Sequence, residues 1–127
     1  RIAKNKTGKD FIMSYQKKEL KDNETNSRYD IKHQLPKDFV PYANIPLQLE
    51  LTFVYPPLKS WTKAKMKQLE NGETIYKTTK PDNDNLQKNI ADILNGLVYT
   101  DDALVSISVV KKIYGFTPRT EIVIKTL

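Results

Sequence analysis

The sequence predicts an α+β fold, in which a small mixed or antiparallel β-sheet packs against two or three helices in a single domain. Hydrophobic residues alternate along 47–55, 105–109 and 119–127, as they do in half-buried strands. A helical pattern over 82–95 lies between the first two of these strands. Strands and helices therefore mix without the regular alternation of a parallel βαβ protein. The 127 residues fit one domain, 1–127.

The first part of the chain is the least informative. Residues 9–14 predict a short strand, and the polar residues 15–35 predict a surface helix or loop. Three prolines then interrupt the chain before residue 47 and predict an extended connection. We therefore treat 1–45 as a variable N-terminal part and 46–127 as the core of the domain.

The strand predicted over 47–55 has the clearest alternation, with one apolar face. Pro56 and Pro57 end it. A short helix is expected to follow from Ser60 to about Glu70, where Asn71-Gly72 is a typical stop. That helix carries three lysines at a spacing of two, which distributes them around its surface: Lys63, Lys65 and Lys67.

The helix predicted over 82–95 is the best-defined element. Pro81 suits its start, and Asn95-Gly96 suits its end. Asp84, Lys88 and Asp92 share its polar face at spacings of four. Its apolar face is formed by Leu86, Ile90, Ile93, Leu94 and Leu97. The two strands that follow, 105–109 and 119–127, are separated by Gly115 and Pro118, and we expect them to pair as a hairpin.

Charge is distributed unevenly along the chain. The net charge is +6, yet residues 81–103 carry five aspartates against one lysine, a net charge of −4. A basic surface attracts a polyanion, because binding releases the counterions of that polyanion. A cluster of carboxylates repels the same polyanion unless a cation lies between them. This combination predicts a metal-dependent enzyme that acts on nucleic acid.

Composition excludes several other classes of site. The chain has no cysteine and one histidine, which excludes disulfides, thiolate metal sites and multi-histidine metal sites. No apolar run approaches the ~20 residues that cross a bilayer, so no membrane span is expected. No glycine-rich phosphate loop is present, so no nucleotide cofactor is expected. The lack of cysteine fits a reducing, cytoplasmic compartment.

The acids occur at the two ends of the predicted helix. Asp82 and Asp84 lie at its start, and Asp101-Asp102 lies just before the next strand. We expect the helix to return the chain so that these ends meet and hold Mg²⁺ or Mn²⁺, which prefer oxygen ligands. Bound metal can activate water and offset the charge that develops in phosphodiester cleavage. Lys88 lies one turn after Asp84, where its ammonium group could support the attacking water or neutralise the charge of the phosphate.

Ordinary structural roles for the same residues stay open at this point. Asp82 and Asp84 suit a helix cap, because carboxylates favour the N-terminal end of the helix dipole. Asp84 and Lys88 have the spacing of an ion pair on one helix. Asp101-Asp102 suits a turn. A calcium-binding EF-hand loop is excluded, because its required polar, glycine and glutamate positions are occupied by Leu86, Gln87 and Ile93.

Residues 80–115 read KPDNDNLQKNIADILNGLVYTDDALVSISVVKKIYG. They combine D-x-D-N-L-x-K, a later aspartate, a D-D pair and an alternating strand, in that order. This set resembles the RusA family of Holliday junction resolvases. The resemblance is strong over a quarter to a third of the chain and looser over 47–61, and residues 1–45 are not diagnostic.

The resemblance implies a homodimeric, Mg²⁺-dependent endonuclease of bacterial or phage origin that cuts four-way DNA junctions symmetrically in recombination and repair. It places the metal-binding and catalytic aspartates on Asp82, Asp84 and Asp102, and the functional lysine on Lys88, with Asp101 as a supporting ligand. A non-catalytic DNA-binding module, or a nuclease specific for flap or fork DNA, is the alternative. Lysines expected at the DNA surface are Lys80, Lys88, Lys63, Lys65, Lys67, Lys111 and Lys112.

Overall fold

The computed structural model describes residues 10–15 and 24–127. Its elements in chain order are β1 (Phe11–Tyr15), α1 (Glu24–Gln34), β2 (Leu47–Tyr55), α2 (Lys63–Glu70), α3 (Asn83–Leu94), a 3₁₀ turn (Asp102–Leu104), β3 (Val105–Tyr114) and β4 (Arg119–Thr126). The strands form one four-stranded sheet in the order β1-β4-β2-β3. The α+β prediction is confirmed. The predicted strand 9–14 is observed as β1, and Lys9 and the segment 16–23 lie outside the described residues.

The sheet is mixed, because β3 runs parallel to β2 whereas β4 runs antiparallel to both β2 and β1. The predicted hairpin of the last two strands is wrong, since β2 lies between them. Alternation along a strand indicates that one face is buried, but it does not encode which strand lies alongside. β2 contains the most completely buried alternating residues and therefore occupies the centre, while the exposed Ser106 and Ser108 of β3 suit an edge.

The core lies between one face of the sheet and the helices α1 and α3. Ile31 of α1 is fully buried there, so the segment predicted as a surface helix or loop contributes to the core. The main buried residues are Phe11, Met13, Leu47, Leu49, Leu51, Ile90, Leu94, Ile122 and Ile124. α1 is also joined to α3 by Arg28, whose guanidinium donates to the carbonyls of Ile93 and Asn95 at 2.9 Å each.

The ends of α2 and α3 follow the predicted turn chemistry with small differences. α2 begins two residues later than expected from Ser60, because Thr62 is its N-cap and accepts from the backbone N–H of Lys65 at 3.2 Å. α3 ends before Gly96, whose φ of +82° lies in the left-handed region that favours glycine. In the described ranges 10–15 and 24–127, no helix is long and apolar enough to cross a membrane.

Candidate active site

The candidate active site is built where α3 lies against β3, and polar side chains fix the two elements together. The Asn83 amide donates to the Val110 carbonyl at 3.4 Å, and the Gln87 amide donates to the Ser108 hydroxyl at 2.8 Å. The start of α3 therefore lies beside the second half of β3. Sequence reasoning did not single out Asn83 or Gln87, although their spacing of four on the flank of a helix was a usable signal.

Asp82 and Asp84 are exposed at the first turn of α3. Asp82 occupies the N-cap position, but its side chain makes no capping hydrogen bond. The Asp84 carboxylate accepts from the adjacent Asn85 N–H at 3.0 Å. Capping by the Asp82 side chain is thus not what the structure shows. Both carboxylates face solvent at the positive end of the helix dipole, where negative charge is stabilised.

The segment that leads into Asp82 is tied to β3 by Lys112. Its ammonium group donates to the carbonyls of Thr79 and Pro81 at 2.6 Å and 2.8 Å. The Lys112 carbonyl in turn accepts from the Lys77 N–H at 2.9 Å, and the Tyr114 N–H donates to Ile75 at 3.0 Å. Lys112 was predicted to contact DNA, and its observed contacts give it a local structural role as well.

Asp101 and Asp102 lie at the opposite end of α3. Asp101 caps the 3₁₀ turn by accepting from the Ala103 N–H at 3.0 Å, and the Asp102 N–H donates to the Asn95 side chain at 3.1 Å. Loss of water around the carboxyl group raises the pKa of Asp102, and the neighbouring Asp101 and Asp92 raise it further. Asp102 therefore lies near the other acids of the helix end, and the Asn95 side chain holds its backbone by a contact that the sequence did not reveal.

The predicted meeting of Asp82, Asp84 and Asp102 is not found within one chain. α3 has 12 residues, which at about 1.5 Å per residue separate its ends by about 18 Å. Among the described residues, no three histidine, cysteine or acidic side chains are grouped so that they could hold a metal ion. The reason is that β3, not α3, returns the chain to Asp82. The residue that arrives beside Asp82 is consequently Lys112, and Asp102 stays at the far end.

Lys88 lies one turn beyond Asp84 and is exposed. In the described part of the chain, Lys88 is absent from the ion pairs, which are Arg119–Glu121 and Lys125–Glu50. The simple Asp84–Lys88 pair is therefore not formed. The Lys88 ammonium is available to a ligand beside Asp84.

The other lysines predicted at the DNA surface occupy different environments. Lys63 and Lys67 are exposed on one side of α2, and Lys80 is exposed before α3. Lys65 lies 4.6 Å from the ring of Trp61, which packs edge-on against Tyr114 at 4.8 Å. Lys111 is exposed on the sheet face opposite α3, one residue from the half-buried Lys112. Trp61 and Lys65 therefore lie at the Tyr114 end of β3, whereas Lys111 lies on the other face of the sheet.

A double variant in which both Lys63 and Lys67 are replaced by alanine is expected to bind DNA more weakly. Its affinity for DNA is also expected to depend less on the salt concentration. Each phosphate contact contributes about 0.9 to the slope of log K against log salt, so the slope is expected to fall by about 1.8. Fluorescence anisotropy over a salt series measures this. Lys125→Ala is the control, because its ammonium is 3.2 Å from the Glu50 carboxylate on the other sheet face. An unchanged slope in the double variant would show that these two lysines of α2 do not contact DNA phosphates.

Comparison with known proteins identifies the class to which this fold and motif belong. The family model described as "Endodeoxyribonuclease RusA" matches residues 1–125, and the chain therefore belongs to the RusA family. The match includes the N-terminal part that the sequence pattern left undiagnosed. A curated relative from Bacillus subtilis (strain 168), "Uncharacterized protein YqaN", is 36% identical over 81 residues, which is 63% of this chain and 57% of the relative. The matched region thus spans little more than half the length of that relative.

Proposed function

We propose that this protein is a structure-specific endodeoxyribonuclease that resolves four-way DNA junctions by paired, symmetric strand cleavage. The observation that carries the proposal is the match to the RusA endodeoxyribonuclease family along residues 1–125. The exposed Asp82, Asp84 and Lys88 near the start of α3 support it, since they belong to the D-x-D-N-L-x-K pattern that resembles this family. In this proposal the protein acts in DNA recombination and repair, in the cytoplasm of a bacterium or of a phage-infected cell.

The basic part of the chain provides the binding surface in this proposal. Lysines of α2 and the segment before α3 attract the phosphates, and Lys88 neutralises phosphate charge next to the aspartates. Asp82, Asp84, Asp101 and Asp102 are the proposed acidic residues of the site. Mg²⁺, or Mn²⁺ in its place, stays the predicted cofactor. Within residues 10–15 and 24–127, one chain by itself does not assemble the set of ligands expected for this ion.

The test uses a labelled four-way junction, a linear duplex and a flap, each incubated with Mg²⁺ or with EDTA. The expected result is a pair of nicks at symmetric positions, confined to the junction and to the samples with Mg²⁺. The separation of Asp82 from Asp102 favours one other candidate, a non-catalytic DNA-binding module of the same fold. Junction binding without any nicking would favour that module, and preferred cutting of the flap would assign a different DNA structure.

A further inference from the structure

We propose that Trp61 is a stacking platform for an unstacked nucleobase at the point where strands exchange in a DNA junction. This inference rests on the proposed nuclease function and adds to it the feature of the DNA that the protein recognises. It is carried by three aromatic rings and two lysines at one end of the sheet, close to the segment that leads into Asp82. We call this group the aromatic end cluster, and its members are Tyr55, Trp61, Lys65, Lys77 and Tyr114.

The aromatic end cluster forms where β2 and β3 end side by side. Tyr55 and Tyr114 are partners in the register of these two strands. Trp61 packs edge-on against Tyr114, with the ring centroids 4.8 Å apart. The backbone of Trp61 is fixed, because its N–H donates to the Leu58 carbonyl at 3.1 Å and the next residue, Thr62, caps α2. An indole on a fixed backbone loses little conformational freedom when it binds a flat ligand.

Two lysines lie over the rings of the cluster. The Lys65 ammonium is 4.6 Å from the centre of the Trp61 ring, and the Lys77 ammonium is 4.9 Å from the centre of the Tyr55 ring. Among the described residues, ion pairs form only within β4 and between β4 and β2, so neither ammonium is neutralised by a carboxylate. Positive charge next to an aromatic face is the combination that holds single nucleotides, through the phosphate and the base.

A base can take the place of Lys65 over the indole. Lys65 is exposed, and a cation–π contact at an exposed site is weaker than the stacking of a base on an aromatic side chain. The start of α2 is retained in this exchange, because the bond to Thr62 uses the backbone N–H of Lys65 and not its side chain. The ammonium that leaves the ring is then free to contact a neighbouring phosphate.

The cluster lies close to the start of α3. Lys112 and Tyr114 are two residues apart on β3, so their side chains project from the same face and their Cα atoms are about 7 Å apart. Lys112 holds the Pro81 carbonyl at 2.8 Å, directly before Asp82, and Tyr114 holds Trp61. Phosphates of one strand are about 3.4 Å apart along the axis of a duplex. A phosphate at Asp82 and a base on Trp61 therefore belong to nucleotides only a few positions apart.

An aromatic platform distinguishes a branch point from continuous duplex DNA. Inside a duplex each base is covered on both faces by its neighbours, and exposing a face costs the energy of unstacking. Where strands exchange, the stack of bases is interrupted and flat faces are exposed at the ends of the arms. Stacking accepts any base, because every base has a π-face. The platform therefore selects the structure of the DNA rather than its sequence, and it places the cleaved phosphate near the exchange point.

Intrinsic fluorescence reports on the platform directly, because Trp61 is the single tryptophan of the chain. A four-way junction is titrated into the protein in EDTA, with excitation selective for tryptophan. Stacking of a base is expected to quench most of the fluorescence at saturation and to protect the ring from acrylamide. A linear duplex at saturation is expected to leave most of the fluorescence in place. Equal quenching by the two DNA structures would overturn the platform.

A pair of variants separates stacking from a purely structural role of Trp61. Trp61→Leu keeps an apolar contact for Tyr114 without an aromatic face, and its affinity for the junction is expected to fall about tenfold. Trp61→Phe restores a stacking face and is expected to recover most of that affinity. Tyr29→Ala, which removes a 62% exposed ring from α1, is the control with unchanged affinity. A structural role would instead weaken binding of the junction and of the linear duplex alike, and Trp61→Phe would not restore it.

Removal of bases from the DNA tests the same contact from the other side. A junction with abasic sites at the exchange point is expected to bind the wild type about tenfold more weakly. The Trp61→Leu variant is expected to show no further loss, because both changes remove one and the same contact. Losses that add in the combination would overturn the platform.

The outcomes separate this inference from the proposed function, because all of these binding measurements are made in EDTA and need no cleavage. A wild-type protein that shows the junction-specific quenching but does not cut in Mg²⁺ would overturn the proposed cleavage and support the platform. A wild-type protein that cuts the junction, together with a Trp61→Leu variant of unchanged junction affinity, would overturn the platform alone.

Discussion

Replacing Asp82 with asparagine is expected to abolish cleavage of a four-way junction while binding of the junction is kept or strengthened. The Asp82 carboxylate is exposed at the start of α3 and makes no capping hydrogen bond. Asparagine has the same shape and an equal preference for the N-cap position, so the helix is retained. The cleavage rate is expected to fall on the order of 10³-fold, the scale of losing charge stabilisation in the transition state, because the site loses a proposed ligand of the metal ion that would offset the phosphate charge.

Two measurements on the same samples check this result. Single-turnover cleavage of labelled junction gives the rate, and a gel-shift titration without metal gives the dissociation constant. Loss of a negative charge next to phosphate removes repulsion, so the affinity is not expected to decrease. Asp38→Asn changes an exposed carboxylate in the loop between α1 and β2 and serves as the control for a change of charge. Cleavage by the Asp82 variant within a few-fold of wild type would refute the role of Asp82.

The sequence predicted the elements of the core well because their signals are local. β2 has the predicted bounds, since the alternation from Leu47 to Tyr55 matches burial on one face of a central strand. α3 also follows its predicted range to within a residue or two, as Asn95-Gly96 supplies a local stop. The order of the strands was not predictable in this way. β2 separates β3 from β4, and this placement depends on which buried faces fit together across the whole sheet.

The candidate site shows the same division between local and distant information. The sequence indicated the motif residues, and the structure places Asp82, Asp84 and Lys88 on one exposed end of α3. It did not indicate how far Asp102 lies from them. That distance depends on the length of α3 and on the path of β3, and sequence spacing alone does not contain it. The positions of Asn95 and Lys112 beside the two acidic ends were likewise hidden, because single polar residues carry no pattern.

Replacing Lys112 with methionine is expected to lower both stability and cleavage, whereas the salt dependence of DNA binding stays unchanged. The variant keeps the aliphatic stem but removes the hydrogen bonds to Thr79 and Pro81. The Thr79 carbonyl is exposed to water, but the Pro81 carbonyl is half-buried, and leaving it without a donor is expected to cost about 1 kcal/mol of unfolding free energy. The segment before Asp82 then loses its anchor, and we expect cleavage to fall about tenfold through misplacement of that carboxylate.

The salt series distinguishes this positioning role from a direct phosphate contact by Lys112. A phosphate contact would reduce the slope of log K against log salt by about 0.9 and leave the melting temperature unchanged. A structural anchor would lower the melting temperature and leave the slope unchanged. Lys125→Met is the matched control, because Lys125 is a partly exposed strand lysine that is not among the lysines predicted at the DNA surface. A Lys112 variant that melts like wild type but has the reduced slope would assign Lys112 to the DNA surface, since its two carbonyl contacts would then contribute nothing measurable to the fold.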